Sequence, residues 1–115
     1  HDDAIVDLPA HIEATRQNII RRMGKAVSAL HEPLKIAEIC TAVYGETSGY
    51  NQLLVIEKTG AYVEYLYEHG MIEIVNPEEV EQGMTAKYRR IRGEEALMIE
   101  LEKKVNKGTR IHVTM

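Results

Sequence analysis

The chain has 115 residues, 44% hydrophobic and 28% charged, which suits one domain with a single modest core and excludes a disordered tail. Fourteen basic against eighteen acidic residues give a net charge of −4 and a pI near 5.7, arguing against a general affinity for phosphate polymers while leaving room for a local basic patch. No apolar run approaches the roughly 18 residues of a membrane span, and the acidic opening HDDAIVD is unlike a secretory signal. The one cysteine, Cys40, cannot form an intramolecular disulfide, so a cytoplasmic location is expected.

There is no Phe or Trp, so all six aromatic residues are Tyr. An aliphatic core is expected, with Tyr rings buried by their bodies and hydroxyls turned to partners or water.

Residues 1–7 read as a lead-in, and the His1 start suggests an excised piece of something longer. Asp7 is a plausible N-cap, with Pro9 in the first turn where its missing N–H costs nothing. Ile12, Ile19, Ile20, Met23, Val27 and Leu30 recur at helical spacing with arginines between them, predicting a long amphipathic helix. Gly24 is its weak point, and His31-Glu32-Pro33 ends it.

Leu34–Tyr44 predicts a short second helix, with Leu34, Ile36, Ile39, Cys40 and Val43 inward and Gly45 as its stop. A third helix is expected from an Asn51 cap to His69, stopped by Gly70. Its inner face reads as Leu54, Ala61, Val63 and Leu66 with parts of Ile56 and Tyr67, and Gly60 as the point of close approach to a neighbouring helix. Met71–Val75 predicts a strand, Asn76 to about Met84 a polar loop, and Thr85–Ile91 the returning strand of a hairpin. A last helix follows Gly93, with Ala96, Leu97, Leu101 and Val105 on one stripe and an acid-to-base order that suits its dipole. The tail Thr109–Met115 alternates Ile111 and Val113, as a short strand or an interface segment would.

The fold class predicted is therefore mainly α with a small β-hairpin. More closely, it is a winged helix-turn-helix: a three-helix core and wing over 8–92, and an extra helix and tail over 93–115 that offers a possible homodimer contact.

Chemistry-bearing motifs are sparse. Histidines stand at 1, 11, 31, 69 and 112, without the paired spacing of a metal site. No GxSxG turn or glycine-rich phosphate loop is present, and Cys40 sits on an apolar helical face as a small core residue. A winged helix commonly sets its third helix into the DNA major groove. Here the outward residues of that helix are Glu57, Lys58, Glu64 and Glu68, and carboxylates repel phosphate. Lys87, Arg89, Arg90 and Arg92 form a basic cluster in the wing, with Glu78, Glu79 and Glu81 expected to offset it. Nucleic-acid binding through Lys87, Arg89 and Arg90, as in a free-standing winged-helix transcription regulator, is thus the alternative reading rather than the leading one.

The leading reading rests on a resemblance. Val43-Tyr44-Gly45, Glu57, Gly60-Ala61-Tyr62, Glu64-Tyr65-Leu66 and Gly70 together resemble the small C-terminal domain of certain metallo-β-lactamase-fold hydrolases. The opening HDDAIVDLPAHIEATRQNIIRRM is similar to the segment joining that domain to the catalytic one. The resemblance implies an N-terminal metallo-β-lactamase-fold domain in the same polypeptide, with a dinuclear zinc site and hydrolysis by metal-activated water. It further implies that this domain restricts the mouth of the active site, and Tyr44, Tyr50, Tyr62 and Tyr65 are expected on the substrate side or domain interface. The alternative for each tyrosine is core packing. His1 stands where the family's last metal-binding histidine stands, although a purification-tag residue would look the same. The HxHxDH motif of the family is missing from these 115 residues, so the chain alone should be catalytically inert and hold no cofactor.

Overall fold

The computed structural model describes residues 8–106. The Asp7 cap, His1 and the Thr109–Met115 tail lie outside them. Five helices and one hairpin follow in order: α1 Leu8–Ala29, α2 Ile36–Tyr44, α3 Gly49–Glu68, β1 Ile72–Ile74, α4 Pro77–Glu81, β2 Tyr88–Arg90 and α5 Glu94–Asn106. The protein is mainly helical with a small two-stranded antiparallel sheet, as the periodicity predicts. No helix among the described residues is long and apolar enough to cross a membrane.

The core forms where α1 supplies Ile19, Ile20, Met23 and Val27, and the turn after it Leu30, to buried side chains of α2, α3 and α5. Ile39, Cys40 and Val43 face inward from α2 as expected. Gly45 and Gly70, at φ 77° and 70°, turn the chain out of α2 and α3 in the left-handed region that L side chains avoid.

α5 lays Leu97, Leu101 and Val105 along α1, with Met98 half-buried beside them. Ala96, expected on that stripe, is exposed, because the spacing of four from Leu97 sets the buried line. Gly24 has a packing role rather than being only a weak point. A Cβ there would lie 2.8 Å from Met98 Cε and 3.2 Å from Met98 Sδ, so α5 uses the missing side chain to come close. Gly60 has no such role, since a Cβ there would meet nothing within 4 Å.

The hairpin pairs Ile72 with Arg90, Glu73 with Arg89 and Ile74 with Tyr88. Both strands are shorter than expected. Leu34, assigned to the second helix by pattern, is instead extended, and it exchanges backbone hydrogen bonds of 2.9 and 2.8 Å with Tyr88. β2 therefore has a partner on both sides, which gives so short a hairpin its support. α2 starts two residues later than expected, where the Glu38 carboxylate accepts the Lys35 backbone N–H at 2.8 Å.

The presumed loop between the strands contains α4, a five-residue helix with Pro77 in its first turn. Asn76 closes that connection: its Nδ2 donates to Glu79 Oε1 (2.9 Å) and to the Thr85 carbonyl (3.0 Å), and its Oδ1 accepts from the Lys87 N–H (2.8 Å).

The largest departure from expectation is the phase of α3. It starts at Gly49 after an extended Ser48, not at an Asn51 cap. Its buried residues are Thr59, Tyr62, Val63, Tyr65 and Leu66, whereas Leu54 is 37% exposed, Tyr67 49% exposed and Ala61 only half-buried. Tyr62 and Tyr65 take the inward positions that aliphatic counting gave to Leu54 and Ala61. Thr59 tolerates complete burial because its hydroxyl donates to the Val55 carbonyl at 2.7 Å.

Candidate functional site: the tyrosines, the wing arginines and the outer face of α3

α2 ends with Tyr44 beside the middle of α3, so its hydroxyl lies 3.4 Å from that of Tyr62. From α1, the Arg22 guanidinium stands 5.3 Å from the centroid of the Tyr44 ring, within cation–π range. Burial, followed by the hydrogen bond to Tyr62, pushes the Tyr44 phenol well above its ordinary value. The hydrogen bond to Tyr62 also raises the Arg22 guanidinium, against the opposing effect of burial. This group is a protonated phenol held beside a permanent cation, suited to hydrogen-bond donation and packing rather than to nucleophilic attack.

The other tyrosines expected at an interface do not join it as surface groups. Tyr62 is fully buried and Tyr65 is 5% exposed, its ring 4.2 Å from that of His69. Both take the core-packing alternative. Tyr50 is 73% exposed at the start of α3. The structure thus brings Tyr44 and Tyr62 together, buries Tyr65 and leaves Tyr50 outside.

The basic cluster is real, but its arginines are engaged. Arg89 pairs with Glu73 across the hairpin at 3.2 Å, and Arg92 with Glu100 of α5 at 2.7 Å. Arg90 turns inward, donating to the carbonyls of Val27 (3.1 Å) and Ser28 (3.3 Å), with Glu94 at 3.9 Å. A cation on the last carbonyls of α1 meets the negative end of the helix dipole, so Arg90 acts as a C-terminal cap. These offsetting carboxylates come from β1 and α5, not from the Glu78, Glu79 and Glu81 expected. A shallow depression of about 410 Å³ remains between Arg89, Arg90, Arg92 and His31.

The outer face of α3 carries exposed Glu57, Glu64 and Glu68, as the sequence predicts, while Lys58 is half-buried. Ahead of these carboxylates, beside the Tyr50 that the sequence had singled out, stand two exposed leucines that sequence reasoning missed: Leu53 at 67% and Leu54 at 37% exposure. The signal was present, because the run Leu53–Ile56 is apolar on more sides of a helix than one core can cover.

Among the described residues, no three His, Cys, Asp or Glu side chains come together as a metal site would require. His31 is exposed and His69 half-buried; His1 and His112 lie outside the described residues. Cys40 is buried at 4% exposure, in keeping with a packing role. The apolar stripe of α5 lies against α1, so a second copy meeting this helix would have to use its other side, where Ile99 is exposed. No protein-family model, curated protein or solved structure matches the chain.

Proposed function

We propose that the chain is a winged-helix accessory domain of a metallo-β-lactamase-like, metal-dependent hydrolase, itself without catalytic activity. The observation that carries this reading is the outer face of α3, where exposed Glu57, Glu64 and Glu68 stand on the surface that such a fold would offer to DNA. The engaged wing arginines support it, since a phosphate contact by Arg89, Arg90 or Arg92 would have to compete with an existing partner. The element order, with β2 flanked by β1 and Leu34, supports the winged-helix assignment. Of the four tyrosines, Tyr44 beside Arg22 is the one we place against the catalytic half. In the intact enzyme a dinuclear zinc site in that half would activate water against an ester, thioester or phosphodiester.

The test is to isolate the native polypeptide with an antibody raised against this chain. The expected result is a polypeptide well above 13.1 kDa that contains an HxHxDH block, binds zinc and hydrolyses one of those three bond types. The chain alone should cleave none of them with zinc added. A native 13.1 kDa species with sub-micromolar, salt-sensitive affinity for duplex DNA overturns the proposal in favour of a transcription regulator.

A further inference from the structure

Arg22, Tyr44 and Tyr62 meet where α1, α2 and α3 come together, and each of them brings a hydrogen-bond donor. The two hydroxyls lie 3.4 Å apart, and Arg22 also donates to the Tyr62 hydroxyl. Only the two phenol oxygens are present to accept. If Tyr44 donates to Tyr62, the proton of Tyr62 finds no acceptor among the described residues, and Tyr62 is fully buried, where an unmade hydrogen bond is costly. If Tyr62 donates to Tyr44 instead, the spare proton is the one on Tyr44, which is only half-buried. Either way the group holds one donor too many.

We propose that Arg22 and Tyr44 form a binding site for one carboxylate group, with Tyr62 behind them. A carboxylate is planar, offers two acceptor oxygens and carries the charge that a guanidinium pairs with. With one oxygen on an Arg22 N–H and the other on the Tyr44 O–H, Tyr62 donates to the Tyr44 oxygen and every hydroxyl proton has an acceptor. The bonds polarise one another, so the buried phenol makes the outer one a better donor. Burial, which raises the Tyr44 phenol, also keeps its proton in place at neutral pH. The wing arginines differ in kind. Arg89, Arg90 and Arg92 stand 3.2, 3.9 and 2.7 Å from a glutamate, whereas among the described residues no carboxylate pairs with Arg22.

The charge of the site selects among anions. One guanidinium matches the single charge of a carboxylate and leaves the second charge of a phosphate unpaired. Two hydrogen bonds at a half-exposed position put the dissociation constant for a lone carboxylate on the order of 10 mM. On the hydrolase reading, which places Tyr44 against the catalytic half, the carboxylate would belong to the substrate. The inference rests on that reading for the source of the group alone, because all three side chains belong to this chain and can be tested in it.

The test is an NMR titration of the chain with sodium acetate at neutral pH, with sodium chloride holding the ionic strength constant. The Arg22 Nε–Hε and Tyr44 ring resonances should shift together and saturate with one constant on the order of 10 mM. Arg22→Gln should abolish the response and Tyr44→Phe weaken it several-fold. Arg21→Gln, at the exposed neighbouring cation of α1, should leave it unchanged. A shift that never saturates, or one confined to Arg22, overturns the proposal. An Arg21→Gln loss equal to that of Arg22→Gln reduces the effect to diffuse attraction and also overturns it. So does inorganic phosphate binding more tightly than acetate. Should Arg22→Gln unfold, Arg22→Lys decides: it keeps the charge without the paired N–H edge, and full retention of acetate affinity rejects the site. A failed titration leaves the hydrolase reading standing, since that reading is tested on the native polypeptide.

Discussion

The two ends of α3 are made from similar residues and treated oppositely. Residues 59–66 bury Thr59, Tyr62, Val63, Tyr65 and Leu66 among the other helices, whereas in 49–58 Tyr50, Leu53 and Leu54 are exposed and Val55 and Ile56 only half-buried. Helix propensity and hydrophobicity do not separate the halves. What separates them is cover: Tyr62, Val63, Tyr65 and Leu66 join the core cluster, whereas Gln52 and Ile56 only line an open depression with Ala37, Cys40 and Thr41 of α2. An apolar side chain thus reports the core only when a neighbouring element is there to cover it.

The most direct attempt to break that contrast is a pair of identical truncations. Leu66→Ala, in a fully buried side chain, should cost about 2–5 kcal/mol in chemical denaturation. Leu53→Ala, in a side chain that is 67% exposed, should stay within about 0.5 kcal/mol. Equal losses would mean that the projecting end is as much a part of the core as the anchored end.

The arginines of the hairpin sharpen the same distinction between engaged and surface side chains. Arg90→Ala removes the cap on the Val27 and Ser28 carbonyls and should cost about 1.5–3 kcal/mol. Arg89→Ala breaks a half-exposed pair with Glu73 and should cost about 0.2–1 kcal/mol. Gly24 probes the α1–α5 contact. Gly24→Ala should be nearly neutral, because moving the flexible end of Met98 offsets a helix-propensity gain of about 1 kcal/mol. Gly24→Leu should cost about 1–3 kcal/mol, part of it recovered when Met98→Ala makes room.

The smallest effect is expected at Tyr44. Its folded-state pKa is raised from the ordinary 10.0, so its contribution is complete below that pH. It is lost progressively above pH 10.0, where the unfolded phenol releases a proton that the folded one retains. The contribution of Tyr44 to stability should therefore be constant below that point, and the stability of the wild type should fall above it. Tyr44→Phe should flatten part of the fall. Tyr88, raised by burial and then by nearby Tyr67, should keep the remainder.

Helix order, the hairpin, the stops at Gly45 and Gly70, and inward Ile39, Cys40 and Val43 were all legible from spacing and turn chemistry. The phase of α3 was not. Leu54 and Ile56 outscore Tyr62 and Tyr65 in hydrophobicity, yet in a chain without Phe or Trp the tyrosine rings carry the bulk that fills the interior. α4 escaped notice because five residues, three of them Glu, show no helical period. The partners of the wing arginines were hidden for a different reason. Val27 and Ser28 lie more than sixty positions from Arg90, and no local pattern encodes a contact across that distance. The candidate site was legible only as a set of residue types: the tyrosines could be named, but their separation into a buried pair, an edge residue and an exposed one follows from how the helices cross.

Arg90 gives the wing a mechanical role. One guanidinium ties the end of α1 to β2 and stands near the first turn of α5, while the backbone N–H of the same residue donates to the Leu30 carbonyl at 3.0 Å. The hairpin therefore works as a clasp between the first and last helices, and lifting it would loosen both ends of the domain together.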